Sequence, residues 1–185
     1  MELVYDEAKF TEMVVYIAGR LLGDRAGGTT KLNKVVFFAE FSHFRRHGQV
    51  ISGCEFQKLQ HGPAPRPVMP VRKRLVAAGE AQIREEDFLG RKQHRLVPLR
   101  DADLSVFTDL ERQTIDDVLE QLSGLTARQV SDLSHDEPGW KLTEIGETIP
   151  YAMAGLVYRQ VSTPTSRRLA RDAAERYGFV VPADA

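Results

Sequence analysis

Cysteine and tryptophan each occur once in this chain, at Cys54 and Trp140. A lone cysteine excludes an internal disulfide framework and suits a reducing compartment. There is no CxxC pair and no HExxH, so the common zinc and metalloprotease signatures are missing. No stretch approaches the roughly 18 apolar residues that a membrane-spanning helix needs, and no membrane partner is expected. The first residues lack a basic stretch ahead of an apolar run, so no signal peptide is expected either. Internal repeats and low-complexity segments are lacking. These absences together predict a cytoplasmic protein.

What remains is an ordinary globular composition. The 185 residues are 42% hydrophobic and 28% charged, enough for a full core in one domain, or one domain and a tail, without metals or disulfides. Net charge is −1, but it is unevenly spread. Residues 31–74 hold nine Lys or Arg against two acids; residues 101–147 hold twelve acids against three bases. The two stretches face different partners, face each other, or simply form solvated helix faces.

Helical periodicity dominates. Asp6 caps a first helix over about 7–22, with Phe10, Met13, Val14, Ile17 and Leu21 in one stripe. Thr29 or Thr30 caps a second helix to about Arg46, stopped at Gly48. Its centre, Val35 to Ala39, is apolar on nearly all sides, the mark of a helix buried between neighbours. Residues 49–60 read as irregular or weakly extended, and His61 to Pro67 as a turn into a third helix over about 66–78. Strand-like runs at about 80–87 and 93–99 flank a polar turn with Gly90, a hairpin pattern. Thr108 and Glu111 form a capping box for a helix to about Leu122. Thr126 caps a short helix to about Ser134. A further helix is expected around Tyr151–Tyr158, and a basic one after Pro164, to Tyr177. The predicted class is mainly α with a small antiparallel β-hairpin, an α+β single compact helical domain over 1–160. Residues 161–185 read as a basic C-terminal helix or arm.

Candidate chemistry is sparse. His43 and His47, four apart on a helix, with Cys54 and His61, make a conceivable zinc set, but their spacing fits no zinc framework and an exposed helix end with two histidines is the plainer reading. Cys54 as a nucleophile needs a base such as His61 or Asp136 placed in space; a structural thiol is the plainer reading. His135, Asp136 and Glu137 look like acid–base groups and equally like a helix end. Pro138-Gly139 then turns the chain so that Trp140 folds back as a buried anchor. Arg66, Arg72, Lys73 and Arg74 precede a hairpin carrying Arg91, Lys92 and Arg95, a helix followed by a basic wing as in winged-helix DNA readers. Glu85, Glu86 and Asp87 share that hairpin and dilute its charge.

Two blocks carry a resemblance. Lys31-Leu32-Asn33-Lys34-Val35-Val36-Phe37-Phe38-Ala39-Glu40 is followed by Gln60-His61-Gly62-Pro63-Ala64-Pro65. Leu133-Ser134-His135-Asp136-Glu137-Pro138-Gly139-Trp140-Lys141 runs on to Ile149-Pro150-Tyr151. Over roughly residues 7–157 the chain resembles the Panacea domain, the SocA-like antitoxin family also seen in phage-associated GepA-like proteins. That family reads KLxKLLYFA, then Tyr-Gly-Pro, then Leu-(Ser/Thr)-His and a Trp. Here His61 replaces the family tyrosine, and Leu59 stands where the family has a tryptophan before the turn.

The resemblance implies an antitoxin of a toxin–antitoxin system rather than an enzyme. Such a protein neutralises a cognate toxin encoded nearby by direct binding, in some cases as an adaptor to a cytosolic protease. No cofactor or metal is implied. Lys31, Leu32, Lys34, Phe38, Ala39, Gly62, Pro63, His135, Trp140, Pro150 and Tyr151 are expected to be structural motif residues. Partner contacts are expected from Arg66, Arg72 and Arg74, or from Arg167, Arg168 and Arg171 in the arm. The alternative is a DNA-binding autoregulator using the third helix and hairpin, with nucleic acid a secondary partner.

Overall fold

The carboxylate of Asp6 accepts the Lys9 N–H at 2.8 Å and opens helix α1, Glu7–Arg20, in a computed structural model that describes residues 4–156. The predicted stripe, Phe10, Met13, Val14 and Ile17, is fully buried. After a 3-10 turn over Leu21–Gly23, helix α2 runs Thr29–His47 and ends on Gly48 in the left-handed conformation. Helix α2 is the centre of the molecule. It packs against α1, against α4 (Asp109–Gln121) and α5 (Ala127–Asp136), and against strand β2 (Gly62–Pro65). That explains a sequence that is apolar on nearly all sides.

Its start differs from expectation. The cap is Gly28, not a threonine, and no side chain caps the first turn. The Thr29 hydroxyl donates to the His94 carbonyl at 2.8 Å instead. A tertiary hydrogen bond thus takes the group that local logic assigned to the cap.

The stretch read as irregular, and the Pro-rich turn after it, form a second small sheet. Strand β1 (Phe56–Leu59) pairs antiparallel with β2 on one side and with β5 (Thr148–Ile149) on the other. Two prolines fit in β2 because it is an edge strand. Pro63 lies opposite Lys58, and its carbonyl faces away from β1, accepting from Lys34 Nζ at 2.8 Å. A residue's N–H and C=O share one side of a strand, so the missing Pro63 N–H costs no ladder bond.

Helix α3 (Val68–Ala77) leads into the predicted hairpin, β3 (Ala81–Phe88) and β4 (Arg91–Pro98). Its two-residue loop has positive φ at Leu89 and Gly90, 53° and 73°, the twist that suits a tight hairpin. The expected capping box, Thr108 with Glu111, is present on α4, and Thr126, read only as a cap, forms a second box with Gln129 on α5. Pro138 starts a short helix, α6 (Pro138–Leu142), where only a turn was expected. The helix expected at Tyr151–Tyr158 is a 3-10 turn over Tyr151–Gly155, and Tyr158 lies outside the described residues. The arm from Pro164, with Arg167, Arg168 and Arg171, lies outside them too.

The described residues form a single α+β domain, mainly helical, with two small antiparallel sheets. Its core joins Phe37, Phe41, Phe56 and Tyr151, with the Phe41 and Tyr151 rings stacked at 4.9 Å. Some of the basic 31–74 stretch meets the acidic one directly, through Arg45 with Glu137 at 2.7 Å and Arg46 with Asp117 at 2.9 Å.

Candidate functional site at the motif corner

Residues far apart in sequence converge where α2, β2, α5 and α6 meet. Lys34 points from α2 into this corner and is 3% exposed. Among the described residues the Pro63 carbonyl is its one hydrogen-bond acceptor. Burial lowers the Lys34 ammonium from 10.5 to about 7. Gly62 sits against it with φ of 95°, and a Cβ there would lie 2.5 Å from both Lys34 Nζ and Ser134 Oγ. Only glycine suits that backbone and that gap. Ser134 is fully buried, and its hydroxyl donates to the Ser131 carbonyl at 2.7 Å.

His135 follows on the same helix. Its ring stacks on Trp140 at 4.1 Å and 22°, and its buried Nε2 has no hydrogen-bond partner. Burial, then the nearby Lys34 charge, holds its pKa below the ordinary histidine value. The Trp140 ring also has Lys58 Nζ 4.2 Å from its centre, and its Nε1 donates to the Leu59 carbonyl at 3.3 Å. Trp140 is therefore half-buried, packed on the core from outside, rather than sealed inside it as its turn suggested. Gly139 lets α6 approach this closely, since a Cβ there would lie 2.7 Å from Ile149 Cγ2.

The other motif residues support this corner. Lys31 is 1% exposed, bonded to Asp24 at 2.5 Å and to the Leu125 carbonyl at 2.7 Å. Leu32 and Ala39 lie in the core, Phe38 packs on it, and the Tyr151 hydroxyl donates to the Cys54 carbonyl at 2.8 Å. Pro150, exposed, caps the 3-10 turn that begins at Tyr151. Glu40 was not singled out in the sequence, yet it is fully buried. It accepts the Ile51 and Ser52 N–H groups at 2.9 and 2.8 Å and the Ser52 hydroxyl, which pins the loop after α2. A lone acid in an apolar helix was the available signal.

The suspected reactive groups part company. Cys54 is buried in the core, which drives its thiol pKa well up and disfavours the thiolate. His43 is buried and bonded to the Thr114 hydroxyl at 3.0 Å, with the His47 ring beside it, while His61 is exposed. Among the described residues no three His, Cys, Asp or Glu gather as a metal site. Asp136 pairs with Lys141 at 3.0 Å and Glu137 with Arg45 at 2.7 Å.

The arginines expected at a partner surface also differ from one another. Arg66 is exposed near Glu55 and the Thr148 hydroxyl. Arg74 is half-exposed and tied to Glu7 and the Thr11 hydroxyl, linking α3 to α1. Arg72 is buried.

With this geometry in place, the family can be stated. The antitoxin SocA-like, Panacea-domain family matches residues 32–141, and the chain belongs to it. That span runs from the second residue of the Lys31–Glu40 motif to the residue after Trp140. Comparison with curated proteins and with solved structures finds no significant match. No helix among the described residues is long and apolar enough to cross a membrane.

Proposed function

We propose that this chain is the antitoxin of a toxin–antitoxin pair, neutralising a toxin encoded beside it by direct protein–protein binding in the cytoplasm. The observation that carries this reading is the antitoxin-family match over residues 32–141. The motif corner supports it. Its two motif lysines are tied into the scaffold, Lys31 to Asp24 and Lys34 to Pro63. Leu59, Leu133 and Leu142, all exposed, occur in the segments that carry Trp140 and its contacts. An apolar centre with a polar rim is what a partner surface needs. Arg66, Arg74 and the arm bearing Arg167, Arg168 and Arg171 are the proposed charged contacts, because arginine pairs carboxylates with two parallel bonds.

Co-expression of this chain with each flanking gene tests the proposal. One neighbour should arrest growth alone, be rescued by this chain, and co-purify with it. A toxic neighbour that is neither rescued nor co-purified contradicts it. Rescue that disappears in a protease-deficient host assigns the adaptor route; rescue that persists assigns occlusion.

A further inference from the structure

A second site lies away from the motif corner. The N-terminus of α2, the start of α5 and the tip of the β3–β4 hairpin enclose a cleft of about 690 Å³, a usual size for a small-molecule site. The first turn of α2 faces it at Thr29 and Thr30, under a glycine cap that leaves the leading N–H groups without a side-chain acceptor. Such a helix end attracts anions through those N–H groups and the helix dipole.

An independent observation points the same way. Arg72 lines the cleft and is 9% exposed, yet among the described residues it has no acidic partner. Its Nε has no hydrogen-bond partner, and its Nη1 meets only the Met69 sulfur at 3.6 Å. A buried guanidinium normally has an anion beside it, because leaving it uncompensated is costly. Arg91, Lys92, His94 and Arg128 also line the cleft, and among the described residues no aspartate or glutamate does. Lys92 alone among these is paired, to Glu85 at 2.5 Å. The rest of the wall is apolar, with Phe88 partly buried and Leu89 80% exposed on the loop.

We propose that this cleft binds a phosphate-bearing small molecule of mononucleotide size. The phosphate sits between the first turn of α2 and Arg72, Arg91 and Arg128 close on it from the rim, and the flat organic body lies on Phe88 and Leu89. This site is separate from the proposed partner surface at Trp140 and stands or falls without it.

The test is calorimetric titration of the full chain with ADP, and with inorganic phosphate, at matched ionic strength. ADP should bind one to one with a dissociation constant below about 1 mM, and phosphate should compete more weakly. Arg128→Glu, a change at an exposed site, should weaken ADP at least about tenfold. Arg72→Met should abolish binding while the protein stays folded, since among the described residues the arginine has only the Met69 sulfur to lose. Three results overturn the proposal. The first is no saturable ADP or phosphate binding up to about 5 mM by the folded wild type. The second is binding that both variants leave unchanged. The third is a poly-glutamate peptide or a DNA duplex that binds with this variant dependence while ADP does not, which makes the cleft a macromolecular contact.

Discussion

Arg95 and Arg72 are buried to nearly the same degree, 4% and 9% exposed, in opposite surroundings. Arg95 pairs with Glu86 across the hairpin at 2.9 Å and reaches from the hairpin to the carbonyls of Leu21, Asp24 and Arg25 at 2.6, 2.9 and 3.3 Å. Arg72 has only a sulfur among the described residues. The first clamps the hairpin onto the end of α1; the second waits on a cleft. Lys31 and Lys34 repeat the contrast one turn apart on α2, one bonded to a carboxylate and a carbonyl, the other to a single carbonyl. A buried cation whose donors are all matched is architecture, whereas one left short carries a cost that the fold alone does not explain.

The largest effect should come from Arg95→Met. It removes the charged donor that bridges the Leu21, Asp24 and Arg25 carbonyls to the hairpin and leaves Glu86 without its partly buried ion-pair partner, so a loss of about 3 kcal/mol is expected by urea unfolding. A loss below about 1 kcal/mol removes the clamp from the account. Gly62→Ala follows, at about 2 kcal/mol, since the new methyl collides with Lys34 and Ser134 on a left-handed backbone. A matching change at Gly79, also left-handed but open around its Cα, should cost less. Equal losses at both sites mean that φ alone, and not the close approach to Lys34, requires the glycine.

Lys34 predicts a pH slope. Burial lowers it from 10.5 to about 7, so between those values the folded chain holds fewer protons than the unfolded chain. Unfolding then takes up a proton, and stability rises with pH through that window. Burial raises Cys54 and Tyr151, which work in the opposite direction above about pH 8.5, so the clean interval is about pH 7 to 8.5. Over it the wild type should gain stability relative to Lys34→Met; parallel unfolding midpoints show that Lys34 is not held in its neutral form. The smallest effect belongs to Arg72→Met, within about 1 kcal/mol of wild type or slightly stabilising, because a buried charge is exchanged for an apolar chain of similar length. Read beside Arg95→Met, it separates the two arginines directly.

The sequence showed what local chemistry decides. Asp6, Gly48, Thr108 and Thr126 stand where helices begin or end, because caps are settled within four residues. The β3–β4 hairpin was legible for the same reason. The β2-β1-β5 sheet was hidden, since Phe56 pairs with Ile149 across most of the domain and two prolines disguise its edge. Motif spacing placed Lys34, Gly62, His135 and Trp140 in order but did not say that they touch. The Arg72 cleft had no local signal: an arginine on a polar-looking helix reads as exposed until the tertiary fold buries it.

Stoichiometry tests the central claim most directly. The rescued neighbouring toxin, purified and active, is titrated with this chain, and its remaining activity is followed over time. Direct neutralisation predicts activity falling linearly to zero at a fixed molar ratio, with no further loss on standing, and full recovery once the complex is denatured and the toxin refolded alone. Inactivation of excess toxin by a small fraction of this chain, progressive in time and surviving separation, contradicts the account and makes the protein an enzyme.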